Sequence, residues 1–157
     1  MAKKIIAVNA GPRNAGIHTD TMQDTYLNKV KQYIADQYGG VAERPWGRAP
    51  AYTVFRHKDN SRMYGIITTV PRSRLDGNDD KPVDIITLKV GDALLRDVLT
   101  AQKGIFPGLG FGERSWITVL LDGTVPIDDI FVFVDHSFSV TATAKMKKTV
   151  SGEIQYQ

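Results

Sequence analysis

Apolar side chains follow a helical spacing in residues 20–38. They stand three and four positions apart, at Met22, Tyr26, Val30, Tyr33, Ile34 and Tyr38. Residues at this spacing lie along one side of an α-helix, so the segment predicts an amphipathic helix. Thr21 and Asp24 are spaced as a capping box at its start, and the glycines at 39 and 40 predict its end.

Alternating and β-branched segments then predict strands. Residues 51–57 alternate, and the turn-forming letters KDNS separate them from a second apolar segment at 62–70. These two segments predict a β-hairpin. Further strands are predicted at 83–90 and 114–123, where β-branched residues are frequent.

A short helix is predicted between the third and fourth strands, over residues 91–104. Asp92 is placed to cap it, because a side-chain oxygen there can accept from the first free backbone N–H groups. We expect its apolar side to be formed by Ala93, Leu94, Val98 and Leu99.

The last element carries conflicting signals. Residues 130–134 read IFVFV, which by propensity alone favours a strand. Pro126 ahead of them, with two aspartates in the next turn, is typical of a helix start, and we predict a helix. Five consecutive apolar residues cannot all face inward on a helix. We therefore expect either Phe131 or Phe133 to be exposed.

The order of these elements gives the fold class. A helix is followed by three strands, a helix, one or two strands and a final helix. Strands in hairpins combined with helices predict an α+β domain, in which an antiparallel sheet has helices packed on one face.

The first 24 residues have a different character. Residues 3–22 read KKIIAVNAGPRNAGIHTDTM, which resembles the phosphate loop that opens NADPH-dependent FMN reductases. The same letters also fit a plain β-turn between a strand and a helix. A flavodoxin-like site needs strands and helices in alternation around a parallel sheet, and the pattern after residue 40 departs from this. We treat 1–24 as a leader, expect 1–10 to add a strand or lie along the domain edge, and expect no flavin or other cofactor.

Composition narrows the classes of protein and site. In a chain of 157 residues we expect one domain, over 25–145, followed by a flexible tail at 146–157. The absence of cysteine excludes disulfides, thiol catalysis and thiolate metal sites. The three histidines are far apart in sequence, which argues against a metal site. No segment is typical of a signal peptide or membrane span, so we expect a cytoplasmic protein without membrane contact.

Charge is unevenly distributed although the net charge is only +3. Residues 40–75 contain seven basic and two acidic side chains, whereas residues 76–135 contain five basic and eleven acidic ones. Such asymmetry indicates an oriented, polar surface.

Several pieces of the chain, in this order, resemble the MmcQ/YjbR family. They are ADQYG, ERPWGRAPAYTVFRHKDNSRMYGIITTVPRSRL, VDIITLKV, SWITVLLDGTVP and DHSFSVT, within residues 25–141. The resemblance implies a two-layer domain with the order α-β-β-β-α-β-β-α, akin to secretion-chaperone and CyaY-like folds. Members are commonly labelled DNA-binding, and no catalytic residues come with the family, so we expect no enzyme activity. Two departures are the loop PGLGFGE and the pair Phe131 and Phe133, where members usually carry polar or charged residues.

The basic segment supplies the candidate binding residues. Long cations can contact phosphates, and an aromatic ring among them can stack on a base. The candidates for a nucleic-acid site are Arg44, Trp46, Arg48, Arg56, Lys58, Arg62, Arg72 and Arg74. At the hairpin tip, His57 and Lys58 would lie between Arg56 and Arg62. This tip would contact the phosphate backbone of the nucleic acid as a wing, that is, as a projecting hairpin.

Other interpretations remain open. The arginines are also consistent with an ordinary solvated surface, on which Trp46 packs over the sheet edge. An interaction or chaperone-like module would use the sheet face and the helix of Phe131 and Phe133 to bind a protein partner. A flavin or nucleotide binder would use Gly11 to Thr21. His57 has no readable catalytic partner and is interpreted as a turn residue.

Overall fold

The computed structural model describes residues 25–40, 43, 52–77, 79–110 and 114–143. The leader predicted over 1–24 and the tail predicted over 146–157 lie outside the described residues.

Three helices and five strands make up the described part of the chain. In order they are α1 (Tyr26–Tyr38), β1 (Thr53–Arg56), β2 (Met63–Pro71), β3 (Pro82–Lys89), α2 (Ala93–Thr100), β4 (Ile105–Pro107), β5 (Trp116–Leu120) and α3 (Ile127–Thr141), with a 3-10 turn at Arg72–Arg74. This is the predicted α-β-β-β-α-β-β-α order. The strands form one sheet in the order β1-β2-β3-β5-β4, and each neighbouring pair is antiparallel.

Helix α1 begins one residue after Thr25, whose hydroxyl accepts from the Asn28 N–H at 3.2 Å. The N-cap of α1 is therefore Thr25. The capping box predicted at Thr21 and Asp24 lies outside the described residues. The predicted end of the helix is confirmed. Gly39 has φ of +62°, a left-handed conformation that suits glycine, and its N–H bonds to the Ala35 carbonyl.

The helices share one apolar cluster with one face of the sheet. From the strands it includes Phe55, Ile67, Ile86, Leu88, Ile117 and Val119, and from the helices Val30, Ile34, Leu99, Ile130 and Val134. The opposite face holds a smaller cluster of Val70, Val83, Ile85 and Leu120, against which Leu75, Phe106 and Leu109 pack. The predicted antiparallel sheet with helices on one face is confirmed.

The segment IFVFV is helical, as predicted, and its packing explains why β propensity does not prevail. Ile130 and Val134 lie one helical turn apart and are fully buried. The exposed member is Val132, with 61% of its surface accessible, so the expectation of an exposed phenylalanine was wrong. Phe131 stacks on Tyr33 with ring centroids 4.1 Å apart, and Phe133 packs against the core.

The apolar side predicted for α2 was also partly wrong. Leu95 and Leu99 face the core, whereas Leu94 and Val98 are 73% and 57% exposed. Each pair is spaced four residues apart, so each forms its own stripe on the helix. Both stripes are apolar, and only contact with the sheet decides which of them is buried.

Candidate functional site

The ends of β2 and β3 are joined by a side chain from α3. The Ser137 hydroxyl donates to the Tyr64 carbonyl at 2.6 Å and accepts from the Lys89 N–H at 2.9 Å. Ser137 is fully buried. One hydroxyl therefore satisfies two backbone groups, one from each strand, and fixes α3 against this end of the sheet.

His57 follows β1 and is buried against the same helix. Its Nε2 lies 2.7 Å from the Thr141 hydroxyl oxygen, which itself lies 2.7 Å from the Ser137 carbonyl. The single hydroxyl proton of Thr141 goes to that carbonyl, because an oxygen pair this close needs a proton between them. Thr141 then accepts from Nε2–H of His57. This tautomer leaves Nδ1 as a bare acceptor, and Nδ1 is buried without a hydrogen-bond partner among the described residues.

The turn between β1 and β2 is attached to the end of α3. The Asn60 amide donates to the Thr141 carbonyl at 3.0 Å, and the Thr143 hydroxyl donates to Asp59 at 2.8 Å. Ser61 has φ of +62°, an uncommon conformation for a residue other than glycine. The turn is therefore held in a defined position on α3, while Lys58 and Arg62 point into solvent as exposed residues.

Two tyrosines of α1 meet one carboxylate of α3. Tyr33 donates to both oxygens of Asp135, at 2.9 and 2.8 Å, and Tyr38 donates to the same carboxylate. Tyr38 also stacks on Phe138 with ring centroids 3.8 Å apart. Burial and the bond to Asp135 raise the pKa of Tyr33 to about 12 and raise that of Tyr38 further. Both hydroxyls therefore stay protonated, and their hydrogen bonds to Asp135 connect α1 to α3.

A cavity of about 260 Å³ opens where these elements meet, and we call it the His57 cavity. Tyr38, Tyr64 and Phe138 supply aromatic walls, and His57 lies among them. The ring of His57 is 4.4 Å from that of Phe138 and 5.0 Å from that of Tyr64, between centroids. Arg56, Lys58 and Glu43 also line the cavity.

Gly40 shapes the His57 cavity by leaving room for a tyrosine. A Cβ atom on Gly40 would lie 2.7 Å from the Tyr64 hydroxyl oxygen and 2.6 Å from Cγ2 of Ile34, both closer than real contacts. Glycine therefore allows the Tyr64 hydroxyl to approach the backbone here. Burial raises the pKa of Tyr64 to about 12, so this hydroxyl is neutral.

The described members of the predicted basic site fall into two groups. Arg56, Lys58 and Arg62, the hairpin cations, lie at one end of β2, and Arg72 and Arg74 follow its other end. Since β2 has nine residues, the two groups are about 26 Å apart. The described basic residues of this segment therefore do not form a single cluster. Arg44, Trp46 and Arg48 lie outside the described residues, and their place in the site stays a prediction.

Two of these arginines are already paired. Nε of Arg56 lies 3.2 Å from Glu43, and its Nη1 donates to the Ser61 carbonyl at 3.0 Å. Arg72 lies 2.7 Å from Asp122. Burial alone would raise the pKa of Asp122, but hydrogen bonds from Thr124 and Arg72 hold it below its usual value.

The other three cations, Lys58, Arg62 and Arg74, have no carboxylate partner among the described residues. Lys58 and Arg62 lie together in the turn between β1 and β2, whereas Arg74 lies beyond the other end of β2.

Comparison with known proteins assigns the chain to a family. Residues 36–140 match the family model described as YjbR. The chain belongs to the YjbR family. This YjbR chain is 29% identical over 112 residues to YyaQ, an uncharacterized protein of Bacillus subtilis (strain 168), and the match spans 71% of this chain and 94% of YyaQ. The family match begins at residue 36, so the resemblance of residues 1–24 to FMN reductases stays a prediction.

Solved structures support the same fold for this YjbR chain. A crystal structure of a Pseudomonas syringae protein is similar with a TM-score of 0.70 and 34% identity, covering 73% of this chain and 97% of that one. Protein DR2400 of Deinococcus radiodurans is similar with a TM-score of 0.59 and 21% identity, covering 83% and 88%, which is a likeness of fold alone. None of the helices that the structure describes has the length and apolar character that crossing a membrane requires.

We predict that His57 makes the stability of this YjbR chain sensitive to acid. Burial lowers the pKa of His57 from its usual 6.5. The effect of burial outweighs the charge of Asp59 and a hydrogen bond with the backbone of Phe138, which both raise this pKa. Below pH 6.5 the unfolded chain therefore takes up a proton that the folded chain resists. This contribution to stability is complete above pH 6.5 and is lost progressively as the pH falls towards the folded-state pKa.

Urea unfolding at about pH 7.5 and about pH 5.5, on either side of the usual histidine pKa, measures this effect. Wild type should lose more free energy of unfolding between the two values than His57→Phe, which keeps an aromatic ring at this position. An equal loss in both proteins would contradict the assignment.

Proposed function

We propose that the chain binds the phosphate backbone of DNA, weakly and without sequence preference, through the hairpin cations. The observation that carries this proposal is the placement of Lys58 and Arg62. Both are exposed, both lack a carboxylate partner among the described residues, and both lie on a turn that Asn60 and Asp59 hold against α3. A turn fixed before binding presents its cations at little cost in conformational entropy.

Arg56 has a supporting role in this proposal. Its Nε is paired with Glu43 and its Nη1 with a backbone carbonyl, but a guanidinium carries five N–H donors, so others remain for a phosphate oxygen. The alternative of an interaction module has less support, because the Phe131 and Phe133 that it required pack against the core. That the chain has no enzyme activity stays an expectation.

The test compares two double variants that remove the same charges from opposite ends of β2. Lys58→Ala/Arg62→Ala changes the hairpin end, and Arg74→Ala/Lys81→Ala changes the far end, where both side chains are exposed. Fluorescence anisotropy with labelled duplexes of several sequences at low salt measures the affinity. The hairpin variant should bind all duplexes more weakly by about tenfold, and the far-end variant should bind as wild type does. Equal effects of both variants would show that only net charge matters and would overturn the site.

A further inference from the structure

The side chain of Asn60 joins the turn between β1 and β2 to the last residue of α3. Its Oδ1 accepts from the Arg62 N–H at 2.8 Å, and its Nδ2 donates to the Thr141 carbonyl at 3.0 Å. These two bonds define the orientation of the amide, because only Oδ1 can accept and only Nδ2 can donate. One side chain therefore holds the backbone of a hairpin cation and attaches it to the helix.

The Thr141 carbonyl is suited to this contact because it lies at the end of a helix. The last four carbonyl groups of an α-helix have no partner within the helix. Thr141 is the final residue of α3 and is 1% exposed, so its carbonyl needs a partner from elsewhere in the fold. Asn60, which is 81 positions away in sequence, supplies that partner.

A second contact with α3 lies beside the first. The Thr143 hydroxyl donates to the Asp59 carboxylate at 2.8 Å. Asp59 and Asn60 are consecutive residues, and both stand between Lys58 and Arg62 in the sequence. A movement of the turn away from α3 would therefore displace both exposed cations.

The backbone of Ser61 shows that the turn is constrained. Its φ of +62° is a left-handed conformation, which a residue other than glycine keeps only where the surrounding structure holds it. The Ser61 N–H donates to the His57 carbonyl, and the Ser61 carbonyl accepts from Nη1 of Arg56, both at 3.0 Å. The residue that precedes Arg62 is therefore held by hydrogen bonds on both sides of its peptide units.

We propose that Asn60 is a positioning residue of the DNA site at the hairpin cations. It sets the affinity for DNA through its bond to α3 and does not contact DNA itself. This inference rests on the proposed function. With the bond present, the turn is ordered before DNA arrives, and binding costs little conformational entropy. Without the bond the turn samples other positions, and the apparent affinity falls with the fraction of chains that keep the binding-competent one.

The experiment weakens the attachment from each side without changing the charge. Asn60→Ala changes the turn, and Thr143→Val changes the chain just after α3. Fluorescence anisotropy with one labelled duplex measures affinity over a series of salt concentrations. Each variant should bind about fivefold more weakly than wild type at every salt concentration, with the same salt slope, because no cation is removed. Ser139→Ala, which removes an exposed hydroxyl from α3, should bind as wild type does.

Amide hydrogen exchange of the free chain separates positioning from direct contact with DNA. The N–H groups of His57 and Ser61 donate to carbonyls within the turn, at 2.9 and 3.0 Å. If the attachment orders the turn, these two groups should exchange at least about fivefold faster in both variants than in wild type and in Ser139→Ala. Weaker DNA binding with unchanged exchange would assign Asn60 to the DNA contact and overturn the positioning role.

Failure of this inference differs from failure of the proposed function. If wild type does not bind DNA at low salt, both are overturned. If wild type binds, and Lys58→Ala/Arg62→Ala flattens the salt slope while Asn60→Ala and Thr143→Val bind as wild type does, only the role of Asn60 is overturned.

Discussion

Replacing Ser137 with alanine should lower the free energy of unfolding by about 2–4 kcal/mol. The substitution removes the donor to the Tyr64 carbonyl and the acceptor for the Lys89 N–H at once. Ser137 is fully buried and its bond to the Tyr64 carbonyl is buried, whereas the bond from the Lys89 N–H is partly buried. Water therefore cannot replace the lost partner of the Tyr64 carbonyl without local opening. Leaving a buried backbone group unpaired costs far more than the net gain from making the bond.

Ser139 provides a matched control for this change. It is the same residue type on the same helix, but it is exposed, so Ser139→Ala should change stability by less than about 0.5 kcal/mol. Urea unfolding followed by circular dichroism measures both variants. If the two alanines had the same small effect, the hydroxyl bridge between β2 and β3 would not contribute to stability.

Replacing Asp135 with alanine should lower the free energy of unfolding by about 2–3 kcal/mol. The carboxylate accepts from the hydroxyls of Tyr33 and Tyr38, and hydrogen bonds to a charged acceptor are stronger than neutral ones. Without it, two partly buried hydroxyls at the contact of α1 with α3 lose their acceptor. The pKa of Tyr33, raised to about 12, should also move towards its ordinary value, because the bond to Asp135 contributes to the shift.

A mutant cycle isolates this contribution from other effects of the substitution. In a Tyr33→Phe/Tyr38→Phe background both donors are absent, while the stacking on Phe131 and Phe138 can persist. The same Asp135→Ala change should then cost less than about 1 kcal/mol. An equal cost in both backgrounds would show that the carboxylate acts by some means other than the two hydroxyls. Ultraviolet titration of tyrosine provides the independent pKa measurement.

The fold could be predicted because its signals are local. Helical spacing, turn-forming residues and capping residues each act within a few positions of the chain. These local signals predicted the order of the elements and the helical conformation of the IFVFV segment. The pattern left open whether one or two strands follow α2, because the three residues of β4, beside glycines and a proline, carry too little pattern to place it. The buried side of α2 was missed because its two neighbouring stripes are both apolar, and only the sheet distinguishes them.

The polar contacts at the end of the sheet could not be predicted because their partners are distant in sequence. Ser137 and Tyr64 are 73 residues apart, His57 and Thr141 are 84 apart, and Tyr33 and Asp135 are 102 apart. The sequence of α3 does not single them out either, since Asp128, Asp129, His136 and Ser139 are also polar residues of this helix. Which of its polar side chains are buried, and against which partners, depends on the packing of α3 on the sheet and on α1.

The described basic residues fall into two groups because closeness in sequence is not closeness in space. Arg62 and Arg72 stand ten positions apart, and the nine residues between them form strand β2. A β-strand has a large rise per residue, about 3.3 Å. A strand within a charged segment therefore places the two ends of that segment far from each other.

The salt dependence of DNA binding tests the central claim most directly. Each phosphate that a protein cation neutralises contributes a slope of about −0.9 to the logarithm of affinity against the logarithm of salt concentration. Wild type should bind duplex DNA with a dissociation constant on the order of 10⁻⁵ M at physiological salt. Removing Lys58 and Arg62 together should flatten its slope by up to about 2, and removing Arg74 and Lys81 should leave the slope unchanged. Undetectable binding at low salt, or the same slope in all three proteins, would contradict the account.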